Sequence, residues 1–168
     1  MKNTFYILFL SLFILSCSTT ETKSENQRGI IEQNDAKSSV MDAFNNAYLA
    51  DDMTDQVSIF TENAVARVNG QEMSPTQMME AFMSGKESYN EVKNISTTTA
   101  THIYDDNENG KGAIYTSTWF TWEGTSVSTG VVVSNPVHAY FRWEGDKVSL
   151  VSYIFDSANY VANMGTSE

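Results

Sequence analysis

The sequence predicts a single α+β domain, with N-terminal helices packed on the concave face of a strongly curved antiparallel sheet. Between about residues 38 and 85, apolar side chains recur mostly at helical spacing. After Gly85 the chain changes to β-branched and aromatic residues in alternation, which is typical of strands with two different faces. The chain has 168 residues and no internal repeat, so one domain with one core is expected.

Three helices and a short hairpin are predicted first. Val40, Phe44, Ala47 and Tyr48 share one face of a helix for which Ser38 or Ser39 is the expected N-cap. The stretch DDMTDQVSIF predicts a second, short helix. AVARVNG predicts a strand running into an Asn-Gly turn. The third helix is expected to begin with Ser74 as N-cap and Pro75 at its first position, and to end at Gly85.

Four long antiparallel strands should follow. They are predicted in KNISTTTATHIY, AIYTSTWFTWEG, VVVSNPVHAYFRW and KVSLVSYIFD. Pro136 cannot donate a ladder hydrogen bond and therefore indicates a bulge or the start of a paired segment.

The N-terminus is predicted to be a targeting segment rather than part of the fold. Residues 1–16 carry Lys2 and the apolar run FYILFLSLFILS, which is too short for a comfortable membrane span and typical of a signal peptide. ILSC resembles a bacterial lipobox, so Cys17 is expected to be lipidated and to anchor an extracytoplasmic protein in the membrane. An ordinary signal peptide with an incidental cysteine is the alternative. Residues 17–34 are predicted as a flexible tether, 35–164 as the domain and 165–168 as a tail.

Composition bears on the partners of the chain. The formal net charge is −11, with acidic residues spread along the sequence, and such a surface repels phosphate backbones. Nucleic acid is therefore not an expected partner. Cys17 is the only cysteine, so no intramolecular disulfide is predicted.

No metal or other cofactor is predicted. DDNENG, residues 105–110, matches the start of an EF-hand loop, but the twelfth position is Thr116 instead of a bidentate Glu and the flanks are strands. His102 and His138 are the only histidines, and nothing in their spacing makes them converge with an acid.

Two stretches, LADDMTDQVSIFTENAVARVNG and YFRWEGDKVSLVSYIFDSANYV, together with the order of elements, resemble the SnoaL-like branch of the nuclear-transport-factor-two-like superfamily. The resemblance covers about residues 36–164 and implies a cone-shaped α+β barrel. Members include ketosteroid isomerases, polyketide cyclases, dehydratases and domains that only bind or assemble. The fold alone therefore implies no single reaction.

The resemblance disfavours isomerase chemistry. Arg67 stands about where the isomerases have their carboxylate base, and a guanidinium is no base near neutral pH. The isomerase oxyanion donors fall on Phe44 and Ala139, whose side chains cannot donate hydrogen bonds.

Strand alternation, with the register that the resemblance implies, divides the sheet into two faces. The concave face is expected to line a pocket for a small hydrophobic molecule. A filled core without ligand is the alternative. The predicted pocket residues are Tyr48, Thr116, Thr118, Phe120, Trp122, Phe141, Trp143, Tyr153 and Phe155.

The opposite face carries large rings, and exposed rings in a contiguous patch usually mark an interface. Members of the superfamily often pair through this face, so a homodimer is predicted; a solvated face is the alternative. The predicted interface residues are Tyr115, Trp119, His138, Tyr140 and Arg142.

Asp156 is the candidate catalytic residue, because in SnoaL-like cyclases an acid near this strand end acts as a base. The favoured interpretation is the simpler one, in which Asp156 caps the terminal SANYVANMG segment by accepting backbone N–H hydrogen bonds. The leading hypothesis is binding of a small apolar or aromatic molecule without catalysis. One alternative is a cyclase, dehydratase or hydrolase using Asp156, assisted by His138, Tyr153 or Arg67. The other is a structural lipoprotein with a filled core.

Overall fold

A computed structural model describes residues 29–106 and 111–165. The predicted signal peptide, Cys17 and part of the loop that resembles an EF-hand lie outside these residues. The elements in chain order are β1 Gly29–Glu32, α1 Ala36–Leu49, a 3₁₀ helix Thr54–Ile59, β2 Phe60–Val68, β3 Gln71–Met73, α2 Pro75–Lys86, β4 Tyr89–Tyr104, β5 Ile114–Ser126, β6 Val132–Glu144, β7 Lys147–Phe155 and α3 Ser157–Ala162.

The helices pack on one side of a seven-stranded sheet with the order β1-β4-β5-β6-β7-β2-β3, which confirms the α+β prediction. The sheet is mixed rather than wholly antiparallel, because β2 lies parallel to β7. That pairing joins segments far apart in the sequence and has no local signal. Among the described residues, no helix is long and apolar enough to cross a membrane.

Strand β1 corrects one predicted boundary. It pairs antiparallel with the end of β4, from Gly29 opposite Tyr104 to Glu32 opposite Thr101. These four residues belong to the segment predicted as a tether, so ordered structure begins before residue 35. Their sequence, GIIE, follows a polar stretch and is too short to indicate a strand without its partner.

Helix α1 starts three residues earlier than a cap at Ser38 implies. Its N-cap is Asp35, whose carboxylate accepts hydrogen bonds from the backbone N–H groups of Lys37 and Ser38. Burial tends to raise the pKa of Asp35, but hydrogen bonds from Ser38, Thr101 and Lys37 outweigh it and leave the pKa below its usual value. Helix α2 has the predicted cap at Ser74, in a capping box completed by Gln77.

Two irregularities bend β4 around the helices. The register with β5 shifts between Asn90 and Lys93 and again between Ile95 and Thr98. Glu91 and Ser96, one within each shift, have φ values of 54° and 55°. Bulges of this kind increase local twist and bend a strand, which here curves the sheet toward α1.

The core occupies the closed end of this curved sheet. Strand β6 alternates between buried and exposed residues along its length, as the sequence predicts. Phe141 on the inner face is fully buried and meets Phe44 of α1 edge to face, with ring centroids 5.4 Å apart. The helices and the sheet are thus joined by aromatic contacts at this end of the cone.

Candidate functional site

A cavity of about 560 Å³ lies at the open end of the cone, between α1, α2 and α3 and the inner face of the sheet. Its volume is within the range of small-molecule sites. Aromatic and aliphatic side chains make up most of its wall. The largest of those without a hydroxyl group are Phe44, Phe82, Phe120, Trp122, Phe155 and Met164.

Five of the nine predicted pocket residues line this cavity: Tyr48, Phe120, Trp122, Tyr153 and Phe155. The other four, Thr116, Thr118, Phe141 and Trp143, share the same face of the sheet but do not line it. They are buried in the closed end of the cone. Alternation predicts the face of a strand correctly here, but it does not predict the depth at which the cavity ends.

The two threonines are held in buried hydrogen bonds. Thr116 faces Thr101 across the strands, with 2.9 Å between their hydroxyl oxygens, and accepts a 2.9 Å hydrogen bond from Nε1 of Trp143. The hydroxyl oxygens of Thr118 and Thr99 lie 3.0 Å apart and share a hydrogen bond. The hydroxyl groups of both threonines therefore have hydrogen-bond partners within the buried core.

Two tyrosine hydroxyls in the cavity have specific partners. Tyr153 donates a 3.0 Å hydrogen bond to Oδ1 of Asn45, and Tyr48 accepts one of 3.2 Å from Nε1 of Trp122. Burial raises the pKa of Tyr48 to about 12, with a smaller opposing effect of the Trp122 hydrogen bond. Burial also raises the pKa of Tyr153 and of Tyr160 well above the ordinary value. All three hydroxyls are therefore neutral at physiological pH.

The cavity wall carries no charge. Among the described residues that line it, there is no Asp, Glu, His, Lys, Arg or Cys. Its polar groups are tyrosine and serine hydroxyls and five carboxamides: Asn45, Asn69, Gln71, Asn94 and Asn135. No group in this set is a base near neutral pH, so the wall can accept and donate hydrogen bonds but has no proton-transfer pair.

The sequence pattern did not predict the carboxamides in the cavity wall, although the position of one of them is consistent with strand alternation. Asn135 has the same strand parity as Val133 and Val137, so alternation places it on the inner face. Asn45 directly follows the core residue Phe44 on α1. An Asn is usually solvated, and only the structure shows that this one is buried.

Asp156 lies outside the cavity wall, although its neighbours Phe155 and Ser157 line it. The carboxylate is exposed and accepts a 2.9 Å hydrogen bond from the backbone N–H of Ala158, which makes Asp156 the N-cap of α3. The Asp156 carboxylate thus acts as a helix cap and is not part of the cavity wall. Of its predicted assistants, only Tyr153 lines the cavity; Arg67 is exposed and paired with Glu72, at 2.7 Å.

The predicted interface residues form an aromatic surface on the opposite side of the sheet. Trp119 is 44% exposed and stacks on His138, with ring centroids 4.9 Å apart. Tyr115 and Tyr140 meet edge to face beside them. Arg142 is exposed on the same strand as His138. Burial lowers the pKa of His138, and the nearby His102 lowers it further, so this imidazole is neutral at pH 7.

Metal-binding side chains do not converge in the part of the chain that the structure describes: it contains no group of three or more His, Cys, Asp or Glu residues arranged to hold an ion. Residues 107–110 of the loop that resembles an EF-hand lie outside that part.

Solved structures with similar folds cover most of this chain. A proposed polyketide cyclase from Pseudomonas putida KT2440 is 17% identical with a TM-score of 0.54, over 75% of this chain and 96% of its own. A proposed hydroxylase from Streptomyces galilaeus is 13% identical with a TM-score of 0.54, over 76% and 83%. A Catenulispora acidiphila protein with a ketosteroid isomerase-like fold, in complex with trimethylamine, is 12% identical with a TM-score of 0.51, over 75% and 92%.

These similarities establish the fold, which is the cone-shaped α+β fold that the sequence resemblance implies. Their identities are too low to carry an activity to this chain, and the neighbours themselves are described with different activities. No family model and no curated protein matches the sequence.

Proposed function

We propose that this domain binds a small, uncharged and largely aromatic molecule in the open end of the cone and does not transform it. The observation that supports this most directly is the composition of the wall: aromatic rings and carboxamides surround about 560 Å³ without an ionisable group other than neutral tyrosines. Aromatic side chains provide a large contact area for a planar ligand, and the amides orient it by hydrogen bonds.

A matched pair of fluorescent probes tests this proposal. N-phenyl-1-naphthylamine is uncharged, whereas 8-anilinonaphthalene-1-sulfonate has the same rings and an added sulfonate. Moving an anion into a wall without a cation is costly, so the uncharged probe should bind at least about tenfold more tightly. Fluorescence titration measures both dissociation constants.

Two tryptophan substitutions on α2 locate the bound probe. Ser84 is exposed and lines the cavity, so Ser84→Trp should place an indole in the opening and abolish binding of N-phenyl-1-naphthylamine. Glu80 is exposed one turn away and does not line the cavity, so Glu80→Trp should bind like the unmodified protein. Equal binding of the two probes, or unchanged binding by Ser84→Trp, would refute the proposal.

We further propose that two copies associate through the aromatic surface around Trp119. Trp119 and Ile154 are both about half exposed on this side of the sheet, beside partly buried Tyr115, His138 and Tyr140. Rings on a contiguous surface are typical of association sites.

The Trp119→Glu variant should be monomeric in sedimentation equilibrium, because it introduces a charge into the middle of the proposed contact, whereas the unmodified protein should be dimeric. Val57 is also half exposed but lies on the 3₁₀ helix, so Val57→Glu is the matched control and should remain a dimer. A monomeric unmodified protein would contradict the proposal, as would a Trp119→Glu dimer.

Finally, we propose that the protein is an extracytoplasmic lipoprotein anchored through Cys17. The apolar run that ends at ILSC supports this location. Cells fed labelled palmitate should label the full chain but not its Cys17→Ser variant, and label in both proteins would be contrary to lipidation at this residue.

A further inference from the structure

A second cavity of about 370 Å³ lies between α1 and β4. We call it the polar cleft. Apart from Leu49, the side chains that line it are hydroxyls, carboxamides and one carboxylate. Those that belong to the polar cleft alone are Asn34, Ser38, Asp42, Asn46, Thr97 and Thr99.

Asn45 of α1 and Asn94 of β4 line both the polar cleft and the apolar cavity, so the two spaces adjoin at these side chains. Nδ2 of Asn45 and Oδ1 of Asn94 are buried and have no hydrogen-bond partner among the described residues. An unsatisfied buried polar group is destabilising, and each such group in a native structure calls for an explanation. One of these groups is a donor and the other an acceptor, so a ligand crossing the junction can satisfy both.

The irregular part of β4 forms the other wall of the polar cleft. Ser96 and Thr97 fall in the register shift between Ile95 and Thr98 and have no paired residue on β5. Ser96 also has a φ of 55°, a left-handed conformation that is costly for a residue with a side chain. Such strained positions cluster at binding sites, where the backbone conformation serves a ligand.

Resting on the proposed function, we propose that the ligand is an uncharged amphiphile, with an aromatic part in the apolar cavity and a headgroup rich in hydroxyls in the polar cleft. Asp42 and the Thr hydroxyls accept and donate hydrogen bonds to such hydroxyls, and the Asp42 carboxylate is already oriented by a 2.6 Å hydrogen bond from Thr99. Among the described residues no Lys, Arg or His lines the polar cleft, so an anionic headgroup would lack a partner.

Isothermal titration calorimetry with 2-naphthol and 2-naphthyl β-D-glucopyranoside tests the inference, since the two probes share their rings and differ in the headgroup. Two or three additional neutral hydrogen bonds should make the glucoside bind about tenfold or more tightly than 2-naphthol. Tryptophan substitutions on either wall of the polar cleft, Asn46→Trp and Thr97→Trp, should remove this advantage and leave 2-naphthol affinity within about twofold. Both positions are exposed, so the fold should tolerate them.

Ala43→Trp is the matched control, because Ala43 is exposed on α1 and lines neither cavity. It should preserve the preference for the glucoside. If 2-naphthol binds as tightly as the glucoside, or the preference survives both wall substitutions, this inference is wrong while the proposed function stands. If neither probe binds, both are wrong.

Discussion

The Phe141→Ala variant should lose about 3–5 kcal/mol of unfolding free energy, the largest effect of any single substitution considered. Phe141 is fully buried at the closed end of the cone. Its ring contacts those of Phe44, Phe60 and Trp143, at centroid separations of 5.4, 6.2 and 6.2 Å. Removing it leaves a void that these packed neighbours cannot fill. Urea denaturation followed by circular dichroism measures the change.

Phe155→Ala is the matched control, because Phe155 has the same parity on the next strand but is only partly buried and borders the open cavity. Little new void is created there, so the loss should be about 1–2 kcal/mol. If Phe155→Ala cost as much as Phe141→Ala, the distinction between a filled closed end and a hollow open end would be wrong.

The Lys86→Met variant should lose about 2–4 kcal/mol, because Lys86 caps helix α1 from the last turn of α2. Its Nζ donates hydrogen bonds to the carbonyl oxygens of Tyr48 and Leu49, at 2.9 and 2.8 Å, and to Oδ1 of Asp51 at 2.7 Å. Met fills a similar volume but cannot donate, so carbonyls at the end of α1 lose a partner.

Asp51→Asn separates the carbonyl contacts from the ion pair, because it removes the charge and keeps a residue type that tolerates the φ of 59° at this position. The Asp51 side chain is 68% exposed, and pairs at such positions contribute little, so this change should cost less than about 1 kcal/mol. A cost equal to that of Lys86→Met would mean that the ion pair, rather than the capping of α1, stabilises the contact. Thermal and urea unfolding of both variants make the comparison.

Local chemistry predicted some elements well. Asn69 and Gly70 both have positive φ, at 48° and 85°, as the Asn-Gly turn requires. Ser74 and Pro75 begin α2 as predicted, because a cap and a first-turn proline act within a few residues of each other. The alternation along β6 also corresponds to its buried and exposed faces.

Features that depend on distant pairing were not predicted. β1 forms a strand by pairing with the distant end of β4. β2 pairs parallel with β7, which lies far from it in the sequence. The boundary of the cavity has the same origin. Thr118 and Phe120 are two residues apart on one face of β5, yet only Phe120 lines the cavity, because Thr118 is fully buried in the packed core and hydrogen-bonded to Thr99. The sequence of β5 alone does not indicate where the packed core ends and the cavity begins.

A neutral aromatic ligand should occupy the inner cavity and not the aromatic outer surface. Trp122 lines the cavity and Trp119 lies on the outer surface, so the two indoles distinguish the sites. Nuclear Overhauser effects between bound N-phenyl-1-naphthylamine and the protein measure proximity directly. We expect them to Trp122, Phe120 and Phe155; effects to Trp119 and Tyr140 with none to Trp122 would contradict the account.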